Sequence, residues 1–269
     1  MEKGAYVLGT HRAELHRLGL QHQVWASEAQ KAWDDAGFSH GQTLLDIGCG
    51  PGFCSTELAY RVGQSGKVIA VDKSNTYIEY LRETALMQGL NVDLRNIDLH
   101  ELELAENSID GVYCRWVFGW IENVEPIIAN ISSSMKKGAH FITHEYYAWQ
   151  YLTVEPQIPE IIKCIKACFK SFDSAPGNVN VGRQLPSIFP KYGLHVKSVR
   201  PILKLCKPAD FTWQWPETFF DVYWPTLVDK DLITQTELDE GLGAFKNLKN
   251  IEGATCFCPP VIEVIAEKV

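Results

Sequence analysis

The chain has 269 residues, of which 46% are hydrophobic and 22% are charged, so it can bury a sizeable core and a disordered chain is excluded. Its 33 acidic residues outnumber its 25 lysines and arginines, and this excess argues against a nucleic-acid partner because phosphate backbones are bound by clustered basic side chains. The sequence opens without an apolar signal region, and no apolar run approaches the ~20 residues of a membrane span, so we expect a cytoplasmic protein that does not enter a membrane.

The first predicted element is a helix. Apolar residues recur at three- and four-residue steps over residues 10–36, and Gly37 and Gly41 then end the pattern. Because this helix precedes the first predicted strand, we interpret residues 1–40 as an N-terminal helical lid.

From residue 41 to residue 145, short apolar strands alternate with helices. The predicted strands are 44–47, 68–71, 91–96, 111–113 and 139–145, and the predicted helices are 55–62, 76–88 and 130–135. The cations and glycine of residues 136–138 are predicted to close the last of these helices. This alternation predicts an α/β fold with a parallel sheet covered on both faces, and a ligand cleft at the carboxyl ends of its strands.

Two long segments interrupt the remainder of the chain. Apolar alternation predicts further strands at 196–205 and 260–266, so residues 182–206 and 259–269 are interpreted as the rest of the sheet. Residues 146–181 and 207–258 are longer than ordinary connections and contain helical patterns, and we interpret them as first and second caps over the acceptor pocket. The aromatic side chains of the second cap suit either a pocket wall or, more readily, its own core.

A glycine-rich turn follows the first predicted strand. The turn runs from Asp46 through Gly48, Gly50 and Gly52, and glycines are needed where the backbone bends sharply or touches a ligand. The next predicted strand ends in Asp72, placed where an acid can meet ribose hydroxyls. A dinucleotide fingerprint would have its third glycine at the position of Phe53, so NAD is disfavoured.

The segment Asp46-Ile47-Gly48-Cys49-Gly50-Pro51-Gly52 resembles the first motif of the class I S-adenosylmethionine-dependent methyltransferases. The resemblance is closest to bacterial methyltransferase-domain proteins related to the ubiquinone and menaquinone methylases. It implies a Rossmann-like, doubly wound, seven-stranded sheet that is mostly parallel with an antiparallel last strand, and S-adenosylmethionine as the cofactor. The long insertion before the last strand departs from the quinone methylases and puts a quinone acceptor in doubt.

The resemblance also implies a set of cofactor contacts. The glycine loop would approach the methionine and ribose, Asp72 the ribose hydroxyls, Asp98 the adenine amine and Arg115 the cofactor carboxylate. An N-cap or turn role is the structural alternative for the two aspartates, and bonding to strand-end carbonyls is the alternative for Arg115. The complete set of candidates is Asp46, Gly48, Cys49, Gly50, Gly52, Asp72, Lys73, Asp98, Leu99, Arg115 and Trp116.

The acceptor side is less defined. His144, with Glu145 beside it, ends the fifth predicted strand and is the candidate base, although a hydrogen-bonded structural role suits either residue equally well. The candidates for the acceptor pocket are Trp116, Trp120, Tyr146 and Tyr147, with core packing as the alternative for the tryptophans. By resemblance, the N-terminal helix folds across the cofactor, which makes Tyr6, Gln23 and Trp25 lid candidates, with packing on the sheet edge as the alternative for Trp25.

The cysteines are predicted to be reduced, because several fall in or beside the predicted sheet, where buried thiols are common. A four-cysteine metal site can be imagined, but its spacings are not C-x-x-C, and we predict no metal. Its members would be Cys164, Cys168, Cys256 and Cys258.

The sequence thus predicts methyl transfer to a small-molecule acceptor by a monomer or homodimer, with the O, N or C acceptor atom left open. The alternatives are a non-catalytic S-adenosylmethionine-binding regulatory module and, less favoured, an NAD(P)-dependent oxidoreductase.

Overall fold

The computed structural model describes residues 12–269. Its helices, in chain order, are α1 (Arg12–Asp35), α2 (Phe53–Val62), α3 (Asn75–Gln88), α4 (Glu125–Ser134), α5 (Pro159–Ser171), α6 (Leu185–Ile188), α7 (Gln214–Tyr223), α8 (Pro225–Asp229) and α9 (Gln235–Leu248). Its strands are β1 (Thr43–Ile47), β2 (Lys67–Asp72), β3 (Val92–Asn96), β4 (Ile109–Arg115), β5 (Met135–Tyr146), β6 (Thr153–Glu155), β7 (Leu194–Ile202), β8 (Leu205–Cys206), β9 (Thr255–Phe257) and β10 (Val261–Lys268).

Seven strands form the main sheet in the order β3-β2-β1-β4-β5-β10-β7. Strands β1 to β5 pair in parallel, and β10 runs antiparallel to both β5 and β7. The prediction of a Rossmann-like, mostly parallel sheet with an antiparallel last strand is therefore confirmed. The strand order reverses direction at β1, where doubly wound sheets form their ligand crevice between β1 and β4.

One predicted helix end is wrong. Residues 136–138 were expected to close the helix before the fifth strand, but α4 ends at Ser134, and those residues are the start of β5. The lysine–glycine signal correctly indicated that the helix ends near this point. Residues 136–138, however, lie at an irregularity of β5, between Met135, which pairs with Ile109, and His140, which pairs with Gly111.

The strand residues alternate between two cores, one on each face of the sheet. Leu44 packs with the second half of α1 and with α2, whereas Leu45 and Ile47 pack with α4 and α6. This period of two is the one expected for a strand that is buried on both faces.

The two predicted caps share a third core. Helix α5 of the first cap packs on α9 of the second, and α7 packs on the first half of α1. A small antiparallel sheet, in the order β6-β9-β8, ties the two caps together at their bases. The boundaries assigned to the lid, core and caps remain predictions.

Helix α1 therefore spans two cores. Trp25 packs with the caps, while Trp33 packs beneath the sheet against Tyr113. Among residues 12–269, no helix has both the length and the hydropathy of a membrane span.

Candidate functional site

A cavity of about 710 Å³ opens at the carboxyl ends of β1, β2 and β4. Its volume falls within the range of about 300–1,000 Å³ found for small-molecule sites. Eleven of the residues singled out in the sequence line it: Asp46, Gly48, Cys49, Gly50, Asp72, Lys73, Asp98, Leu99, Arg115, Trp116 and Trp120. The fold thus brings most of the cofactor candidates to one crevice, as the order of the strands requires.

The glycine loop forms the floor of this cavity. Gly48 adopts φ +59°, and a Cβ there would lie 2.4 Å from a methyl group of Val117. Gly50 has φ +54° and faces open space, since a Cβ there would meet no described atom within 4 Å. A ligand can therefore approach the Gly50 backbone directly.

Gly52 does not line the cavity, so its predicted cofactor contact is not supported. It adopts φ +83° before α2, and a Cβ there would lie 2.3 Å from a methyl carbon of Leu81. The glycine is required because α2 and α3 approach closely at this point.

The Asp72 carboxylate supports the loop from the neighbouring strand. Its Oδ2 accepts a hydrogen bond of 2.8 Å from the Gly50 amide, and its Oδ1 accepts one of 2.8 Å from the Ser74 amide. Burial nevertheless raises the pKa of Asp72. The Asp72 carboxylate is therefore both structural and a candidate ligand contact, because it fixes the turn and also lines the cavity.

Asp98 also has a structural role and lines the cavity. It is the N-cap of the turn that follows β3, where its carboxylate accepts hydrogen bonds from the backbone amide and the ring of His100. The bond from the His100 amide is the main reason that the pKa of Asp98 is lowered. Half of the side chain is exposed toward the cavity mouth, so a polar ligand group can reach it.

Asp46 lies deeper, at the end of β1. Burial raises its pKa to about 7, although Ser55 donates a short hydrogen bond of 2.5 Å to Oδ2. A cationic ligand group in this part of the cavity would favour the ionised carboxylate by direct attraction.

Arg115 lines the cavity, and one of its guanidinium nitrogens has no hydrogen-bond partner in the described part of the chain. Its Nη2 lies 3.2 Å from His22 Nδ1, whereas its buried Nη1 has no hydrogen-bond partner among the described residues. A buried guanidinium nitrogen without a partner costs free energy, and a shift of the side chain toward a ligand carboxylate would remove that cost with a charge-assisted bond. The indole nitrogen of Trp116 is likewise buried and unpaired in the part of the chain that the structure describes.

The loop after β4 has an unusual backbone. Trp116 adopts φ +56°, a left-handed conformation that is uncommon for a bulky residue. Its amide donates to the His144 carbonyl over 3.0 Å, and the Glu145 carboxylate accepts from the amides of Val117 and Phe118 at 2.8 and 2.9 Å. Glu145 therefore holds the loop that presents Arg115 to the cavity.

The positions of His144 and Glu145 do not support the prediction that one of them is the base. Neither His144 nor Glu145 lines the cavity, and both side chains are fully buried. The His144 ring lies between the Tyr113 hydroxyl, at 3.1 Å, and the Glu263 carboxylate, at 2.9 Å. Burial lowers the pKa of His144. The ring is a hydrogen-bonded core group with no path to an acceptor.

The tyrosine candidates also lie outside the cavity. Tyr146 stacks behind Trp116 with ring centroids 5.7 Å apart, and the exposed Tyr147 packs against the guanidinium of Arg183. Strand β5 ends beneath the caps, so its last side chains face the cap core or solvent instead of the crevice.

The structure describes two of the three predicted lid residues, Gln23 and Trp25. Gln23 points to solvent, and Trp25 is buried between Trp116 and Trp215, so neither lines the cavity. Tyr6 lies outside the described residues. Helix α1 does contribute to the wall, but through Leu18 and Gln21.

Several lining residues were not identified from the sequence. Phe53, which begins α2 after the glycine loop, lines the cavity and stacks on His22 at 5.6 Å between ring centroids. The position of Phe53 directly after the glycine-rich turn could have indicated that this residue lines the cavity. Pro176 carried no such signal, because only the packing of the first cap brings it to the cavity, whereas Ile121 directly follows the candidate Trp120 in the loop after β4.

The comparisons with known proteins agree with this geometry. A family model described as "Methyltransferase domain" matches residues 38–176, which is just over half of the chain. The chain belongs to this methyltransferase-domain family. The predicted family is thereby confirmed, and membership supports S-adenosylmethionine as the cofactor.

Individual relatives of this methyltransferase-domain chain are distant. It is 29% identical over 170 residues to an uncharacterized 37.1 kDa protein in transposon TN4556 of Streptomyces fradiae, covering 63% of this chain and 48% of that protein. It is 25% identical over 149 residues to a demethylmenaquinone methyltransferase of Desulfitobacterium hafniense, covering 53% and 59%. The chain thus spans about half the length of these curated relatives.

Among solved structures, the geranyl diphosphate C-methyltransferase of Streptomyces coelicolor shares the fold with a TM-score of 0.58. The match covers 98% of this chain and 89% of that one at 15% identity. The likeness therefore extends through the caps as well as the sheet.

Proposed function

We propose that the chain transfers the methyl group of S-adenosylmethionine to a small-molecule acceptor with an apolar body. The observation that carries this proposal is the combination, in one cavity, of the Gly48–Gly50 floor, the Asp72 carboxylate and the Arg115 guanidinium. When bound, S-adenosylmethionine supplies an electrophilic methyl group on a sulfonium.

The residues present fit the parts of this cofactor. Asp72 and Asp98 lie at the ends of β2 and β3 and offer acceptors to ribose hydroxyls and an adenine amine. Asp46, at the end of β1, suits the ammonium group, and Arg115, at the end of β4, suits the carboxylate. The open space above Gly50 leaves room for the backbone of the loop to contact the ligand.

The acceptor is assigned to the other side of the cavity. Because β4 lies on the opposite side of β1 from β2 and β3, the residues that follow it flank the end of the cavity away from the adenosine. Trp116, Trp120, Ile121 and Pro176 supply this wall, and Gln21 adds an amide from α1. Such a surface favours an acceptor that is largely apolar or aromatic.

The chain's contribution to the reaction is alignment and exclusion of water. Since His144 is enclosed in the core, it takes no proton from the acceptor. The nucleophilic atom of the acceptor forms the bond to the methyl carbon as the carbon–sulfur bond breaks, S-adenosylhomocysteine leaves, and any proton on that atom passes to water. Holding donor and acceptor in line within the cavity lowers the barrier without a covalent step. Pro176 of the first cap and Leu18 and Gln21 of α1 line the cavity, whereas no residue of the second cap, which was predicted to cover the acceptor pocket, lines it.

Calorimetric titration tests the cofactor assignment. We expect S-adenosylmethionine and S-adenosylhomocysteine to bind with one site per chain, and NAD not to bind. Binding of NAD alone would overturn the proposal.

A second assay separates an enzyme from a regulatory module. Production of S-adenosylhomocysteine is followed with a panel of apolar and aromatic acceptors, and we expect turnover with at least one. Tight cofactor binding without turnover, together with unchanged binding when acceptors are added, would instead favour the non-catalytic module.

A further inference from the structure

Three cysteines converge at the base of the second cap, away from the cavity. The sulfur atoms of Cys206, Cys256 and Cys258 all lie within 4.8 Å of one another. The three side chains are fully buried, and all eight cysteines of the chain are free of disulfides.

Strand pairing produces this convergence. Cys206 in β8 is the direct partner of Cys256 in β9, and its thiol donates to the Cys256 carbonyl over 3.5 Å. Cys258 comes two residues later, so its side chain lies on the same face as that of Cys256. The Cys258 amide continues the pairing by donating to the Lys204 carbonyl over 2.9 Å.

The cluster lies where the chain enters and leaves the second cap. Cys206 directly precedes the helical insertion that contains α7, α8 and α9, and Cys256 and Cys258 follow it. The strands that close this insertion are very short, with two residues in β8 and three each in β6 and β9. Sheets this small are marginal by themselves, and a cross-link that closes a long loop removes much conformational entropy from the unfolded chain.

We propose that Cys206, Cys256 and Cys258 form a site for a thiophilic metal ion that closes the base of the second cap. This proposal differs from the sequence-based prediction of no metal. The four-cysteine set considered there combined Cys256 and Cys258 with Cys164 and Cys168 and did not include Cys206. Cys164 and Cys168 of α5 do not belong to the group found in the described residues.

The chemistry of three sulfur ligands limits the ion. Thiolates select soft ions such as Cu⁺ and Zn²⁺ over Mg²⁺ or Ca²⁺, and binding displaces the thiol protons. No histidine, aspartate, glutamate or further cysteine joins the three sulfurs within residues 12–269. Three thiolates alone suit trigonal Cu⁺, whereas Zn²⁺ would need a fourth ligand such as water.

The metal is measured first on the unaltered protein. The chain is unfolded under reducing conditions, refolded with Cd²⁺ as a spectroscopic probe, freed of excess metal, and examined for thiolate-to-cadmium charge-transfer absorption and metal content. We expect one bound ion per chain. Parallel refolding with Zn²⁺ or Cu⁺ identifies the ion that is retained more firmly against a chelator.

A matched pair of variants assigns the site. Cys258→Ser should abolish the bound equivalent and the charge-transfer band, while Cys168→Ser, which changes an equally buried cysteine in the same cap core, should retain both. Removal of the ion from the unaltered protein should lower its melting temperature. Refolded protein with neither bound metal nor charge-transfer absorption overturns the proposal even if Cys258→Ser does not fold, and so does metal binding that survives in folded Cys258→Ser.

Discussion

The Asp72 carboxylate accepts two backbone hydrogen bonds and also lines the cavity. We predict that Asp72→Ala weakens S-adenosylhomocysteine binding by about 1–3 kcal/mol, the usual consequence of losing charge-assisted bonds to a ligand. The measurement is calorimetric titration. Asp93→Ala is the control, because Asp93 lies on the adjacent strand, pairs with Arg95 and does not line the cavity. Unchanged affinity in Asp72→Ala would remove Asp72 from the binding site.

The Glu145 carboxyl group predicts a pH dependence of stability. Burial raises its pKa from 4.5 to about 7. Between these values the unfolded chain ionises and the folded chain does not, so the free energy of unfolding falls as pH rises through this window. Glu145→Gln keeps an oxygen that accepts from Val117 and Phe118 but cannot ionise.

We therefore expect Glu145→Gln to match the unaltered protein at the acidic end of this window and to exceed it in stability by up to about 3 kcal/mol above its neutral end. Urea unfolding across the pH range measures the difference. Burial also raises the pKa of Asp46, but Asp46 is present in both proteins. The difference in stability between the variant and the unaltered protein therefore reports on Glu145. Parallel pH profiles would show that Glu145 does not carry the effect.

At the scale of elements, α1 is joined to the second cap by a buried polar contact. Gln21 Oε1 accepts hydrogen bonds from Arg17 Nη1 at 2.8 Å and from the Trp215 indole nitrogen at 3.0 Å. This contact joins the face of α1 that lines the cavity to α7.

Gln21→Ala removes this acceptor and leaves the Trp215 nitrogen buried without it. We expect the free energy of unfolding to fall by about 1–3 kcal/mol, measured by chemical denaturation without ligand. Gln23→Ala is the matched control, because Gln23 lies on the same helix and points to solvent. Equal stability of the two variants would show that the contact does not hold α1 to α7.

The elements themselves were largely predictable. Apolar periodicity located β1 to β5, α2 and α3 to within a few residues, since a period of two or of 3.6 reports directly on burial. It placed the start of α4 five residues too late, at 130 instead of Glu125, and did not predict α6. The short strands β6, β8 and β9 were missed, because two or three residues carry no period and their pairing joins distant parts of the chain.

At the scale of the whole molecule, α1 shares one core with the sheet and another with the caps. We expect a single cooperative unfolding transition in scanning calorimetry, because neither core can open without disturbing the helix common to both. S-adenosylhomocysteine at a hundred times its dissociation constant should stabilise the protein by about 2.7 kcal/mol, and NAD should leave the transition unchanged. Two separate transitions would show that the caps unfold independently of the sheet.

The α/β class, the glycine loop and the acids at the ends of β2 and β3 could be predicted from the sequence, because they depend on local periodicity and on spacing along adjacent strands. The sequence also indicated the family, since the turn from Asp46 to Gly52 is continuous in the chain.

The roles of the residues at the end of β5 and in the caps depend on long-range packing, and they became evident in the folded structure. His144 and Glu145 stand where a base could be expected, yet strand β10 and the loop after β4 enclose them with Glu263 and with backbone amides. The three sulfurs of Cys206, Cys256 and Cys258 meet only because an antiparallel pair joins the two ends of the second cap. Such contacts depend on how distant segments pack, and a one-dimensional pattern does not contain that information.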